Sequence, residues 1–280
     1  MLTPVPTSAP PIVFASDFGY RNEWVGICHA VMGRIAPESQ IVDLSHGIPP
    51  LDVLAGALLL VDSLPYIAED AIIIAVVDPT VGRDRDIAVQ AENGRLLVGP
   101  DNGLLAPACA SLGGIRRLVE ITSSEVILEP VSPSFHARDI LCPAAAHLAV
   151  GLNIEHLGQL IGAENLAQLK VPEAEVAPGK IECEVLDLNR FGNLQLSARE
   201  DHLVAAGLDP LKDVAIESTS ASARARRAST YADVESGQYG LMLDPRGWLA
   251  VIRGNPANAA EGLGLQVGDL VWITAPPDVE

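Results

Sequence analysis

Aromatic residues make up only 4% of this 280-residue sequence. A core of stacked rings is therefore excluded, and burial falls to Ala, Val, Leu and Ile, the stock of a buried parallel sheet and its covering helices. Basic residues are also few: 18 Lys and Arg against 36 Asp and Glu leave a net charge of −18. That balance repels nucleic acid and anionic membrane, so neither is expected as a partner. No apolar run approaches the roughly 20 residues of a spanning helix. Residues 1–11 lack both the basic start and the apolar centre of a signal peptide, and read as a disordered lead-in to a cytoplasmic protein. Four cysteines, Cys28, Cys109, Cys142 and Cys183, lie far apart in apolar contexts. They read as buried reduced thiols, neither a disulfide framework nor a zinc site. No glycine-rich phosphate cradle follows a strand. Gly262-Leu-Gly264 comes after an Asn/Ala-rich turn, and there is no P-loop, so a dinucleotide cofactor and a nucleoside triphosphate are both unsupported.

What is present is a β-branched run, Ala71 to Val77, that stops on Asp78-Pro79. In open α/β sheets ligands bind outside the carboxyl ends of the strands, so Asp78 stands where chemistry is expected. Pro79 ends the ladder, Gly82 permits a tight turn, and Arg83 and Arg85 are expected to fold back toward the acid.

Similar strand ends recur. Residues 12–17 form a strand ending in Asp17-Phe18-Gly19, and Trp24 to Ile35 has helical spacing. Residues 41–43 form a second strand running into Leu44-Ser45-His46, followed by a helix over 52–64 that ends before Pro65. Residues 87–99 read as a hairpin turning at Asn93-Gly94, which delivers Pro100-Asp101-Asn102-Gly103. A strand near 116–121 and a helix over about 139–150, entered through Phe135-His136-Ala137-Arg138-Asp139, complete an alternating region. Such alternation predicts an N-terminal Rossmann-like α/β domain over 12–175, mostly parallel with helices on both faces. The stretch 171–179 reads as a Pro-rich acidic linker. Short strands at 181–188, 194–197, 214–217, 239–243, 248–252 and 270–273 then predict a smaller antiparallel β-barrel over 176–280. The Ser/Ala/Arg-rich stretch 218–227 is expected to be a solvated loop.

Asp17-Phe18-Gly19, Asp78-Pro79 with Val81-Gly82 and Arg85, Pro100 to Gly103, Phe135-His136 with Arg138-Asp139, and Phe191-Gly192-Asn193 occur in the order found in the S-adenosyl-L-methionine hydroxide adenosyltransferases. The chain resembles that family, which also contains the fluorinase and chlorinase, over about residues 12–275. The resemblance implies that S-adenosylmethionine is consumed as substrate and not held as a cofactor, and that water displaces L-methionine from the ribose C5′ to leave adenosine. It also implies a homotrimer with active sites between subunits. By resemblance, Asp78, Arg85 and His136 activate the water, Asp17 grips the ribose diol, and Phe18 is a substrate-binding residue. Asn102, Phe191, Asn193, Arg246 and Arg253 join the substrate-binding set. Arg138 and Asp139 read as a structural ion pair. No metal ligand set is expected, because the spacing of Asp43, His46, His136 and His147 matches none known.

Four positions depart from the family pattern: Thr80, Arg83, Ala137 and Asn189. Thr80 and Ala137 add bulk near the expected water, and Asn189 lacks the charge of the Asp usual there. These changes motivate an alternative reading, a weak or purely binding protein. A halogenase is the third reading, and Asp78 argues against it, because an ionised carboxylate beside the nucleophile position repels halide.

Overall fold

The computed structural model describes residues 9–255 and 257–276, so most of the expected lead-in lies outside the described residues. By Pro11 the chain is already tied down, its carbonyl accepting from Ile72 N at 2.9 Å. Two compact units divide between Lys170 and Val171.

The first unit carries seven strands: β1 (Ile12–Ser16), β2 (Ile41–Ser45), β3 (Ile72–Val76), β4 (Asp86–Ala91), β5 (Leu96–Pro100), β6 (Ile115–Ile121) and β7 (Gly158–Ile161). Their spatial order is β2-β1-β3-β5-β4-β6-β7. The first four in that order run parallel; β4 opposes both β5 and β6, and β7 opposes β6. All strands but β4 and β7 therefore share one direction, and the sheet is mostly parallel. β1 and β3 are buried at every position, which is why their sequences are unbroken apolar runs and do not alternate. Four helices cover the sheet: α1 (Trp24–Ile35), α2 (Val53–Ser63), α3 (Ala106–Ser111) and α4 (Cys142–Ala149). Ile12 and Phe14 of β1 pack into one core with α1 and α4, whereas Val13 and Ala15 enter the other with α2 and α3. The pleat thus feeds two cores from one strand.

Local signals act as their chemistry requires. Asp52 caps α2 by accepting from Ala55 N at 2.9 Å, and Gly94 adopts φ 94° in the β4–β5 turn. A single widened π-turn, Ala137–Leu141, leads into α4. Such turns re-aim side chains and are frequent at functional sites. The four cysteines are free and buried.

The second unit holds β8 (Glu175–Ala177), β9 (Lys180–Leu188), β10 (Leu194–Leu196), β11 (Asp213–Glu217), β12 (Ser222–Arg227), β13 (Tyr239–Leu243), β14 (Leu249–Arg253) and β15 (Leu270–Thr274), with short helices α5 (Glu200–Ala206) and α6 (Ala259–Leu263). The run β10-β14-β13-β12-β11-β15-β9 closes on itself through the β9–β10 pairing, and β8 attaches outside the ring to β9. The barrel is antiparallel except at β12–β13, which pair in parallel.

The expected loop at 218–227 is corrected: Ser222–Arg227 is a barrel strand between β11 and β13. Its Ala225 is buried while Arg224 and Arg226 face outward, and Arg224 pairs with Asp213 at 2.6 Å. Composition masked a period-2 pattern of small and charged residues. The linker reading is corrected likewise, since Glu175–Ala177 zips onto β9. No helix among the described residues is long and apolar enough to cross a membrane.

Candidate active site

β1 and β3 are neighbours in the sheet, so the acids that follow them, Asp17 and Asp78, emerge side by side at its carboxyl edge. Both line a cleft of about 580 Å³ together with Phe18, Trp24, Phe135 and His136. Asp17 is fixed at both ends. Its N–H donates to Val76 O at 3.3 Å, and its Oδ2 accepts from Leu51 N at 2.9 Å. Leu51 supplies that donor from a left-handed conformation, φ 65°, and such a strained residue marks a place where geometry is over-determined. Phe18 meets Trp24 and Phe135 edge-on, with centroids 5.9 and 6.1 Å apart. The cleft therefore pairs carboxylates with an aromatic wall, suited to a ligand with hydroxyls and a flat ring.

Burial pushes the Asp78 carboxyl above its ordinary range, and Asp84 adds to the rise, while Thr80 N–H and His136 oppose it. The Thr80 N–H bond to Asp78 Oδ1 measures 3.0 Å. Thr80 is exposed and outside the cleft lining, its hydroxyl bonded to Asp84 and Asp78. Its bulk is spent on ordering the turn rather than on filling the site.

The residue that sequence reasoning missed is Asp86. His136 Nδ1 donates to Asp86 Oδ2 at 2.7 Å, and Asp86 is only 6% exposed. A carboxylate in that place draws a proton to Nδ1 and leaves Nε2 for the cleft. Burial pushes the Asp86 carboxyl up to about 6, against the pull of His136. An acid opening an otherwise apolar strand, Asp86-Ile-Ala-Val, was the available signal. Gly82, at φ 83°, lies where an added Cβ would sit 2.8 Å from Pro133 O and 4.0 Å from His136 Nε2. Gly82→Ala is therefore expected to displace the 132–136 segment and cut turnover at least tenfold while leaving the fold of the second unit intact, checked by turnover assay alongside circular dichroism.

Two expected site residues are committed elsewhere. Arg85, anticipated beside Asp78, gives Nε to Asp101 Oδ2 at 3.1 Å and Nη2 to Asn165 O at 2.8 Å. Asp101 is buried, and a buried carboxylate without a cation is costly, so it captures the nearest guanidinium. Asn102 spends its side chain on backbone, donating to Val77 O at 2.8 Å and accepting from Leu104 N at 3.2 Å. It holds the end of β3 in place. Arg138 and Asp139 form the anticipated ion pair, 2.6 Å apart, and Asp139 also accepts Ser132 N at 2.8 Å.

In the second unit Asn193 and Arg246 line a smaller cleft of about 410 Å³ with Asp187, Gln195 and Tyr231. Asn193 donates to Tyr231 Oη at 3.3 Å. Arg246 bridges Asp244 at 3.1 Å and Asp187 at 3.6 Å, and bonds Gln195 Oε1. The Gln195 amide nitrogen is buried with no hydrogen-bond partner. Asn189 accepts from Phe191 N and Asn193 N at 2.9 and 3.2 Å, so its oxygen builds the turn while Asp187 supplies charge to the cleft. Phe191 is 61% exposed. Arg253 lies over Tyr239 at 5.4 Å and outside this cleft.

A Rossmann-like domain with a carboxylate–imidazole cleft at its carboxyl edge, followed by a closed barrel with a polar cleft of its own, defines a two-domain protein that handles a small molecule. Residues 12–158 match the family described as SAM hydroxide adenosyltransferase N-terminal domain, and residues 183–272 match the corresponding C-terminal domain. The chain belongs to the SAM hydroxide adenosyltransferase family. It is 38% identical over 267 residues to the (R)-S-adenosyl-L-methionine hydrolase of Salinispora tropica, covering 95% of this chain and 98% of that one. It is 26% identical over 294 residues to the fluorinase of Actinopolyspora mzabensis, covering 95% and 98%. The crystal structure of an uncharacterized conserved protein from Thermotoga maritima superposes with a TM-score of 0.87 at 28% identity, covering 94% of this chain and 99% of that one.

Proposed function

We propose that the protein hydrolyses S-adenosyl-L-methionine to adenosine and L-methionine, with water as the nucleophile at the ribose C5′. The observation that carries this reading is the His136–Asp86 pair opening into the cleft that Asp78 and Asp17 share. Hydrolase relatives at 38% and 36% identity over nearly the whole chain support it.

The leaving group sets what the protein must supply. As the new O–C5′ bond forms, the C5′–S bond breaks and its electron pair stays on sulfur, turning a sulfonium into a neutral thioether. No general acid is needed. The attacking water must lose a proton, and His136 Nε2 is the acceptor, since Nδ1 already carries its proton toward Asp86. Asp78 orients the same water, and a carboxylate in that place disfavours a halide nucleophile. Asp17 receives the ribose hydroxyls, and Phe18 with Trp24 walls the site against bulk water. Holding water in line with C5′ contributes on the order of 7–11 kcal/mol when alignment is good. Arg85 supports from behind as a positioning residue, keeping Asp101 and the 165–167 loop in place.

The pH dependence follows from Asp86. Its folded value near 6 lies above the ordinary carboxylate value of 3.8. Below about 6 it is protonated and no longer orients His136, so turnover rises through that pH and levels above it. Stability runs the other way. The folded state binds this proton more tightly than the unfolded chain, so the stabilisation it provides is fully present below 3.8 and lost as pH rises through about 6. Turnover and melting temperature of the wild type, each measured against Asp86→Asn between pH 4 and 8, are expected to show opposite trends that the variant lacks.

Asn193, Asp187, Arg246 and the unpartnered Gln195 amide suit the amino-acid end and the purine edge of the substrate, and exposed Phe191 suits the purine face. Arg253 remains a proposed contributor to the adenine side. We further propose a homotrimer in which the N-terminal cleft of one subunit is completed by the C-terminal domain of its neighbour. Large apolar side chains left exposed in each unit, Trp24 and Leu51 in one, Phe191 and Tyr231 in the other, support that reading. Light scattering on purified protein is expected to return three times the chain mass.

Chromatographic product analysis tests the function. Incubation with S-adenosylmethionine is expected to release adenosine and methionine in equal amounts, with no 5′-halo product in chloride or fluoride buffer. Tight binding without adenosine release would select the binding-protein reading instead.

A further inference from the structure

Behind β1, on the α1 side of the sheet, His29, Asp43 and His46 bring two imidazoles and a carboxylate to one point. Their candidate ligand atoms all lie within 4.8 Å of one another, and no other such group of three occurs among the described residues. His29 Nε2 stands 2.7 Å and His46 Nε2 3.0 Å from the same oxygen, Asp43 Oδ1. Neither histidine serves the chemistry proposed above, which uses His136.

The site is built as well as clustered. His46 is fully enclosed, at 1% exposure, and its other ring nitrogen, Nδ1, lies 2.6 Å from Ser16 Oγ. The Phe14 and Tyr20 rings hold it edge-on at centroid distances of 4.6 and 5.2 Å. A histidine fixed through its far nitrogen, with the near nitrogen aimed at a carboxylate, is the arrangement metal-binding histidines need. His29 approaches from the opposite side on α1, a turn beyond buried Val25, at the edge of that helix's packed face. It remains a third exposed, which leaves a route for an ion to enter and an open coordination position facing solvent.

We propose that His29, Asp43 and His46 form a binding site for a divalent first-row transition ion of the zinc class, separate from the proposed substrate cleft. Two imidazole nitrogens favour zinc-class ions over magnesium or calcium, which prefer all-oxygen sets. Bonds of about 2.0–2.1 Å in tetrahedral array place ligand atoms roughly 3.3 Å apart, so the present 2.7 and 3.0 Å separations need to open by roughly 0.6 and 0.3 Å. The proton balance also closes. Each hydrogen that now bridges an Nε2 and Asp43 is released or relocated on binding. His46 takes its proton on Nδ1 and donates it to Ser16 Oγ, which has acceptor capacity, while His29 moves its own to the exposed Nδ1.

The test uses the full-length protein stripped with chelator, then loaded with zinc alone and gel-filtered. About one zinc per chain is expected to stay bound by elemental analysis. The melting temperature should rise with zinc concentration, and X-ray absorption should report two imidazole ligands. His29→Ala and His29→Gln, both at a partly exposed helix position, should weaken zinc binding at least tenfold while the zinc-free circular dichroism stays that of the wild type. Failure of the wild type to retain zinc, or retention equal in the His29 variants, overturns the proposal. Either result leaves adenosine release from S-adenosylmethionine to be judged independently.

Discussion

Replacing His136 with asparagine is expected to lower adenosine release about 10²–10⁴-fold, the range that a positioned general base contributes. Asparagine can still donate toward Asp86, so the buried carboxylate keeps a partner and the fold survives. What is lost is the bare Nε2. The loss should fall on kcat and leave KM nearly unchanged, because the imidazole acts on water and not on the substrate's binding groups. Asp86→Asn gives a contrasting signature: a smaller fall, together with disappearance of the pH step near 6. Stopped-flow or chromatographic kinetics on both variants, with thermal melts as folding controls, separate the two roles. If His136→Asn kept wild-type kcat, the base would lie elsewhere in the cleft.

Asp17→Asn is the second large expected effect, and it falls on binding. A carboxylate accepting a sugar hydroxyl forms a charge-assisted bond worth about 1.5–3 kcal/mol. Removing the charge without changing the shape therefore raises KM or Kd roughly 10- to 150-fold per bond lost. The amide oxygen can still accept Leu51 N, so the left-handed turn at Leu51 is retained. Calorimetric titration with adenosine isolates this effect from catalysis, and unchanged affinity would remove Asp17 from the ribose.

Much of this was legible in the sequence for identifiable reasons. Buried parallel strands announce themselves as apolar runs, and Asn93-Gly94 admits little but a tight hairpin turn. Strand-end acids at Asp17 and Asp78 follow from where such strands must stop. The misreadings also have physical causes. Where Arg85 points depends on which buried acid most needs a cation, and Asp101, sixteen residues away, could not be ranked against Asp78 without knowing burial. Asp86 escaped notice because its partner is fifty residues distant. The strand at Ser222–Arg227 hid behind its arginines, since an outward face rich in one residue type looks like low complexity. His29 joins Asp43 and His46 only through the packing of α1 on β1, which no spacing rule between the three residues encodes.

The barrel's one parallel contact carries a consequence of parity. A closed ring can alternate strand direction throughout only if its strand number is even. Seven strands force an odd number of like-directed neighbours, here β12 and β13. Like-directed neighbours cannot be joined by a hairpin, so the chain between Arg227 and Tyr239 must travel back along the barrel before it starts β13. Tyr231 rides on that return passage and meets Asn193 there. An eight-stranded relative with simple hairpins would have no such passage. The polar cleft of the second domain thus owes one of its walls to a counting rule, and shortening the 228–238 connection would remove that wall before it disturbed any strand.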